Sequence, residues 1–309
     1  MNVAIYEYFQ HFTPTGLGWA TGFLELGHQI ALIRKSEIAI TNFPPDTHLI
    51  IYFDVPNEDN KITEIKEYKK RNPECIIIGI GTLPKSNYHK YLGTVDFWCG
   101  IAYQHLYAES EFAKIGFRYY NIPMGSDKSR FFPLNLQKPF DISFVGTFGQ
   151  HGHGDRDEKY YLYPALEDKT LVSYYSGFSW NGSPVMNIRA EHLNEVYNST
   201  KVNLNFHYPF EKEESPDNPM SRIDLNGRIF DIALSGNFQL CDHPLVKDLF
   251  GGSIAIGTKE NWMDLIYYYK DREDERNKLA QISRDIALKY HTWGKRMQLV
   301  LDAMKENKK

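Results

Sequence analysis

The chain has 309 residues, enough for two domains of ordinary size. Its 35 Lys+Arg against 39 Asp+Glu leave a net charge of −4, which excludes a global basic field of the kind that attracts nucleic acid or an anionic membrane. Hydrophobic content of 42% with 24% charged residues is that of a globular protein, and no run reaches the ~20 apolar residues of a membrane span.

The three cysteines, Cys75, Cys99 and Cys241, are widely spaced and sit in or beside apolar runs. They read as buried free thiols, not as a disulfide frame or a zinc site, and so point to a reducing compartment. The first residues lack a basic stretch followed by a long apolar one, and a cytoplasmic location is expected.

In chain order, residues 3–6 form an apolar strand and residues 10–18 a polar, turn-rich segment that includes Gly16 and Gly18. Helical spacing over 19–26 ends at Gly27 and yields to a strand over 29–33. A β–loop–α–β unit of this kind starts a parallel sheet. The run 49–54 is nearly all apolar, as in strands buried on both faces. A charged helix over 60–71, buried strands over 75–81 and 95–99, a helix over 105–116 and an extended segment over 119–124 complete an open α/β sheet.

Turn formers over 125–134 break the alternation, and the linker is placed at 137–139. The pattern restarts with a strand over 140–149 that runs into a loop carrying His151, Gly152, His153 and Gly154. A helix over 160–166, a strand over 170–175, a helix over 188–199 and a strand over 202–207 follow. The long polar segment from His207 to Ser221 is of the length at which loops are often functional. Beyond it come a helix and strand over 224–242, a segment over 244–250, a strand over 253–256, and helices over 262–270, 271–290 and 295–306.

The expectation is two Rossmann-like, doubly wound domains, 1–137 and 138–290, facing across a cleft, with a last helix over 291–309 returning to the first domain. Ligands of such sheets bind beyond the carboxyl ends of the strands.

Residues 224–242 are the stretch around which the second half is organised. Asn226, Gly227 and Arg228 stand where a helix opens, and an arginine there suits phosphate because its planar fork donates two bonds at once. The rival reading is an ordinary amphipathic helix with a solvated arginine. Several motifs then line up: a strand ending in Phe144, Val145, Gly146 and Thr147; the strand 202–205; Asn226 to Asp231, with Gly236 before a strand ending in Asp242; and His291, Thr292 and Trp293 followed by Arg296. In this order they resemble the group-one glycosyltransferases of the GT-B fold, most closely the spore-maturation, CgeB-like branch. Gly27 with His28, and the bridge from Ile122 to Pro133, carry a weaker N-terminal match.

The resemblance implies a C-terminal domain that holds a nucleotide-diphosphate-sugar donor such as a UDP-sugar. Gly146 and Thr147 would let the backbone approach the diphosphate, Asn226, Gly227 and Arg228 would meet phosphate or sugar, and Asp231 would accept from ribose hydroxyls. Asp231 stands where the family usually has a glutamate. Gly16, in the glycine-rich opening, His207 at a strand end and Arg222 are placed with the donor as well. Arg222 and Arg228 are the choices for stabilising the leaving diphosphate. His11, in the loop after the first strand, and Asp54, at the end of the third, are the alternative general bases. His28 and His291 are read as structural.

The acidic pair Asp155 and Asp157 matches a metal motif only in letters, and His151 with His153 lacks a third ligand, so no metal and no cofactor is expected. The acceptor is an unidentified hydroxyl on a glycan, a lipid-linked group, a protein or a nucleobase. A sugar-nucleotide epimerase of the same fold, and a non-catalytic carbohydrate-binding or coat-associated protein, are the competing readings.

Overall fold

The computed structural model describes residues 1–7, 14–34, 43–44, 46–53, 59–81, 88–100, 105–146, 158–176, 192–207 and 225–307. It divides into two compact units, Met1–Gly125 with Trp293–Lys309, and Ser126–Thr292.

In the first unit, β1 (Asn2–Glu7) is followed by α1 (Pro14–Glu25), β2 (Gln29–Arg34), β3 (Leu49–Phe53), α2 (Asp59–Arg71), β4 (Ile76–Ile80), β5 (Phe97–Gly100), α3 (His105–Lys114) and β6 (Tyr119–Asn121). The described strands form one parallel sheet in the order β2-β1-β3-β4-β5-β6. Ile76, Ile77 and Ile78 of β4 are all buried, which is why a run without alternation folds here as a strand covered on both faces.

The second unit holds β7 (Phe140–Val145), α4 (Glu158–Tyr161), α5 (Tyr163–Glu167), β8 (Ser173–Ser176), α6 (Leu193–Asn198), β9 (Thr200–Asn205), α7 (Arg228–Leu234), β10 (Gln239–Cys241), α8 (Val246–Phe250), β11 (Ala255–Ile256), α9 (Trp262–Lys270) and α10 (Glu273–Tyr290). Its sheet is again parallel, in the order β11-β10-β9-β7-β8. The strand order reverses between β7 and β9, the switch point at whose carboxyl side α/β sheets take ligands. Ile142, Phe144, Val202, Leu204, Phe206, Leu240, Trp262 and Ile266 make its core, with the Phe144 and Phe206 rings stacked at 4.5 Å.

Helix α11 (Trp293–Asn307) belongs to the first unit and packs along α1. This packing corrects the reading of Gly16 as part of a glycine-rich turn, because α1 begins at Pro14 and carries Gly16 within it. Proline suits a first helical turn, where its missing N–H is no loss. Gly18 and Gly22 bare the face of α1 that meets α11. A Cβ on Gly18 would lie within 2.1 Å of the Trp293 ring, and one on Gly22 within 2.5 Å of the Trp293 carbonyl oxygen and of Met297 Cγ.

The first unit ends at Gly125, earlier than the expected linker at 137. The segment after it is rich in turn formers, yet it is tied to α6. Phe132 N–H donates to Asn194 Oδ1 at 3.2 Å, Leu134 N–H donates to Asn198 Oδ1 at 2.8 Å, and Asn194 Nδ2 donates to the Phe132 carbonyl at 3.0 Å. Asn194 and Asn198 lie one helical turn apart, so their side chains reach the same strip of chain. The second unit extends to Thr292: His291 packs against Phe230 and Phe250 at ring distances of 5.0 and 5.1 Å, and its carbonyl accepts from Ser126 N–H at 3.0 Å.

Candidate functional site

In the second unit β7, β9 and β10 end at Val145, Asn205 and Cys241, and the residues just beyond them gather with the turn that opens α7. His207 is held first by its own backbone. Its N–H donates to Asp242 Oδ2 at 2.9 Å and to Oδ1 at 3.1 Å, and its ring Nδ1 lies 2.7 Å from Asp242 Oδ1. Both side chains are buried. A carboxylate only accepts, so the ring proton sits on Nδ1 and Nε2 is an acceptor. Two donors of Asn226 reach Nε2, the side-chain amide at 3.0 Å and the backbone N–H at 3.3 Å. The same amide also donates to Asn205 Oδ1 at 2.8 Å.

His243 stands edge-on to His207 at 4.9 Å between ring centroids. Burial, and then the neighbouring His207, push its pKa down to about 3, so it is neutral at physiological pH. The Cys241 thiol accepts from His243 N–H at 3.4 Å, and burial raises its pKa well above the usual thiol range. His207, Cys241 and Asp242 each bring one ligand-type atom within 4.8 Å of the others. A cation there would have to displace both the proton shared by His207 and Asp242 and the thiol proton, so the trio is built as a hydrogen-bonded group.

Arg228, the first residue of α7, donates to the Val145 carbonyl, and its guanidinium lies 4.9 Å from the centre of the Phe144 ring. Hydrogen bond and ring together anchor the charge at the carboxyl end of β7, next to Gly146 in the chain. Asp231 accepts from Ser126 Oγ at 2.6 Å. Burial pushes its pKa up to about 7 against the opposing pull of Ser126, Arg130 and Arg228. Near neutrality it is therefore divided between carboxylate and acid. Tyr197 is also raised, chiefly by burial and then by the Asp231 charge.

Of the residues singled out in the sequence, Gly146, His207, Asn226, Gly227, Arg228 and Asp231 lie together in the second unit. Gly16 is buried in α1 of the first unit. His11, Asp54, Thr147 and Arg222 lie outside the described residues, as do Asp155, Asp157, His151, His153 and the loop 211–219. Sequence reasoning assigned no role to Asp242, Asn205, Gln239 or Ser126. A signal was present for two of them: Asn205 and Gln239 are amides in short strands of a parallel sheet, where a buried amide needs a specific partner.

Residues 161–302 match the family described as glycosyl transferase-like. A comparison with curated protein sequences finds no match. Among solved structures the chain is similar to a sucrose-phosphate synthase from Thermosynechococcus elongatus, with TM-score 0.57 and 9% identity over 98% of both chains. It is similar to AviGT4, a glycosyltransferase involved in avilamycin A biosynthesis, with TM-score 0.58 and 12% identity over 99% of this chain and 97% of that one. A mutant of S. aureus TarM, solved with fondaparinux, alpha-GlcNAc-glycerol and UDP, gives TM-score 0.53 and 7% identity over 84% of this chain and 55% of that one. Among the described residues no helix is long and apolar enough to cross a membrane. Residues 161–302 are thus similar to the glycosyl transferase-like family, and the chain has the fold of these GT-B glycosyltransferase structures, with two parallel-sheet units.

Proposed function

We propose that the protein transfers a sugar from a nucleotide-diphosphate-sugar donor to a hydroxyl acceptor without a metal, in the manner of the CgeB-like branch that its motifs resemble. The observation that carries this reading is the gathering of Arg228, Asn226, His207 and Asp242 at the carboxyl ends of β7, β9 and β10, at the switch point of the sheet. All four lie within the stretch that matches the glycosyl transferase-like family. The UDP in the TarM structure supports the same donor class.

Transfer leaves negative charge on the departing diphosphate. A guanidinium held at a strand end by a carbonyl and an aromatic face stabilises such charge with little reorganisation. Arg228 has that role here, with Gly146 giving the diphosphate room beside the backbone and Asp231 facing the ribose. His11 or Asp54 takes the acceptor proton. Neither the epimerase reading nor the non-catalytic one is favoured by the family match.

The test is thermal unfolding with UDP, ADP, GDP and CDP in turn, followed by product analysis. A nucleotide at 100 times its Kd adds about 2.7 kcal/mol of stability. Silence with all four overturns a donor site. Release of nucleoside diphosphate only when an acceptor is supplied supports transfer, and conversion of a nucleotide sugar without an acceptor refutes it in favour of epimerisation.

A further inference from the structure

The amides around Asn226 form a chain whose direction is set at both ends. At one end the Ile229 carbonyl can only accept, and it takes Gln239 Nε2 at 2.9 Å. Gln239 Oε1 therefore faces Asn205 and accepts from its Nδ2 at 3.4 Å, which turns Asn205 Oδ1 toward Asn226. At the other end the Asp242 carboxylate can only accept, so His207 Nδ1 carries the proton and Nε2 accepts. Both ends meet at Asn226 Nδ2, and each takes one of its two hydrogens, at 2.8 and 3.0 Å. The backbone N–H of Asn226 is directed to His207 Nε2 as well.

Asn226 is thereby left with no donor to offer. Its Oδ1 is enclosed and has no hydrogen-bond partner among the described residues. An enclosed acceptor without a donor costs stability until a donor reaches it. A phosphate or carboxylate oxygen has no hydrogen to give and is repelled there, whereas a hydroxyl supplies the missing bond.

Resting on the donor reading above, we infer that Asn226 Oδ1 is an acceptor for one hydroxyl of the donor, on the ribose or on the transferred sugar, and that Asp242, His207, Asn205 and Gln239 are positioning residues that hold the amide in this sense. The inference departs from a phosphate role for Asn226 and leaves the phosphate to Arg228. It also explains why a histidine at the end of a strand is tied twice to an aspartate at the end of the next. Without Asp242 the imidazole proton is free to move to Nε2, and the Asn226 amide then turns over to present its NH2 group to the ligand.

The test is a set of dissociation constants for wild type, Asn226→Ala and Asp242→Asn. UDP, 2′-deoxy-UDP and 3′-deoxy-UDP form the ribose arm, and UDP-glucose with its 2-, 3-, 4- and 6-deoxyglucose analogues forms the sugar arm. The same ribose arm is run with ADP and GDP where these bind instead. A site built to receive a hydroxyl discriminates strongly against the analogue that lacks it. We expect one deoxy analogue to bind wild type at least about tenfold more weakly than its parent, and the ratio to fall to about one in Asn226→Ala. The arm in which this occurs identifies the source of the hydroxyl.

Asp242→Asn is expected to lose the same discrimination while still binding the parent nucleotide, and it serves alone should Asn226→Ala fail to fold. Equal ratios in wild type and both variants across all arms overturn the inference. Parent nucleotides bound by wild type in that case leave the donor reading standing, whereas failure of wild type to bind any of them removes both.

Discussion

Replacing Asp231 by asparagine reverses the usual expectation for loss of a charge beside arginines. Its carboxyl has Arg130 and Arg228 as neighbours and a hydroxyl bond from Ser126, yet burial outweighs all three and holds the pKa at about 7. The folded protein thus binds this proton more tightly than the unfolded chain, whose carboxyl titrates near 3.8. Stability is full below the unfolded value, falls as pH rises toward about 7, and is level above it. At ~1.4 kcal/mol per pKa unit, the interval from 3.8 to about 7 corresponds to roughly 4 kcal/mol of destabilisation at pH 8. An asparagine side chain at this position would keep an oxygen for Ser126 and remove the titration. Asp231→Asn should match wild type near pH 4, and its advantage should open by ~2–3 kcal/mol between pH 5 and pH 8. Urea unfolding of both proteins across this range, followed by circular dichroism, measures the gap. A constant gap, or a variant that is less stable at pH 8, would refute the argument that burial dominates this site.

Gly22→Ala puts a methyl 2.5 Å from the Trp293 carbonyl oxygen, which belongs to the backbone of a packed helix and cannot turn away. A cost of ~1–3 kcal/mol is expected, visible as a lowered Tm, and an unchanged Tm would show that α1 and α11 yield easily. Arg228→Ala should lower turnover by about 10²–10³ with the circular dichroism spectrum preserved, since it removes the anchored charge, and full activity would take Arg228 out of the chemistry. Activity is expected to persist in excess EDTA; loss that a divalent ion restores would show that the reaction needs a metal.

The parallel strands were legible because a strand buried on both faces is a continuous apolar run. The runs at 49–54 and 75–81 and the observed β3 and β4 coincide to within a residue or two. The start of α1 was not legible. Glycines grouped as Gly16 and Gly18 normally mark a turn, and nothing local shows that Trp293, far away in sequence, needs the bare helix face. That the first compact unit ends at Gly125 was not legible for the same reason. Residues 126–137 have the composition of a linker, and it is tertiary contacts that bind them to the second unit: Ser126 to Asp231 and His291, and the backbone of Phe132 and Leu134 to the side chains of Asn194 and Asn198.

Within the candidate site, Arg228 and His207 stood out as residue types suited to anion or sugar binding, while Asp242 and Gln239 did not. Their importance depends on register. β9 and β10 pair so that Asn205 lies opposite Cys241 and Asn203 opposite Gln239, which brings the ends of the two strands level and sets Asp242 against His207.

The sequence by itself determined the alternation of strands and helices, the presence of two α/β units and the placing of Arg228 and Asn226 at the opening of a helix, because each follows from local pattern and chain order. Only the tertiary structure decided what those residues can do. The proton on His207, the sense of the Asn226 amide and the charge on Asp231 are set by partners brought from other strands and loops, and hydrogen-bond direction and desolvation depend on those partners alone.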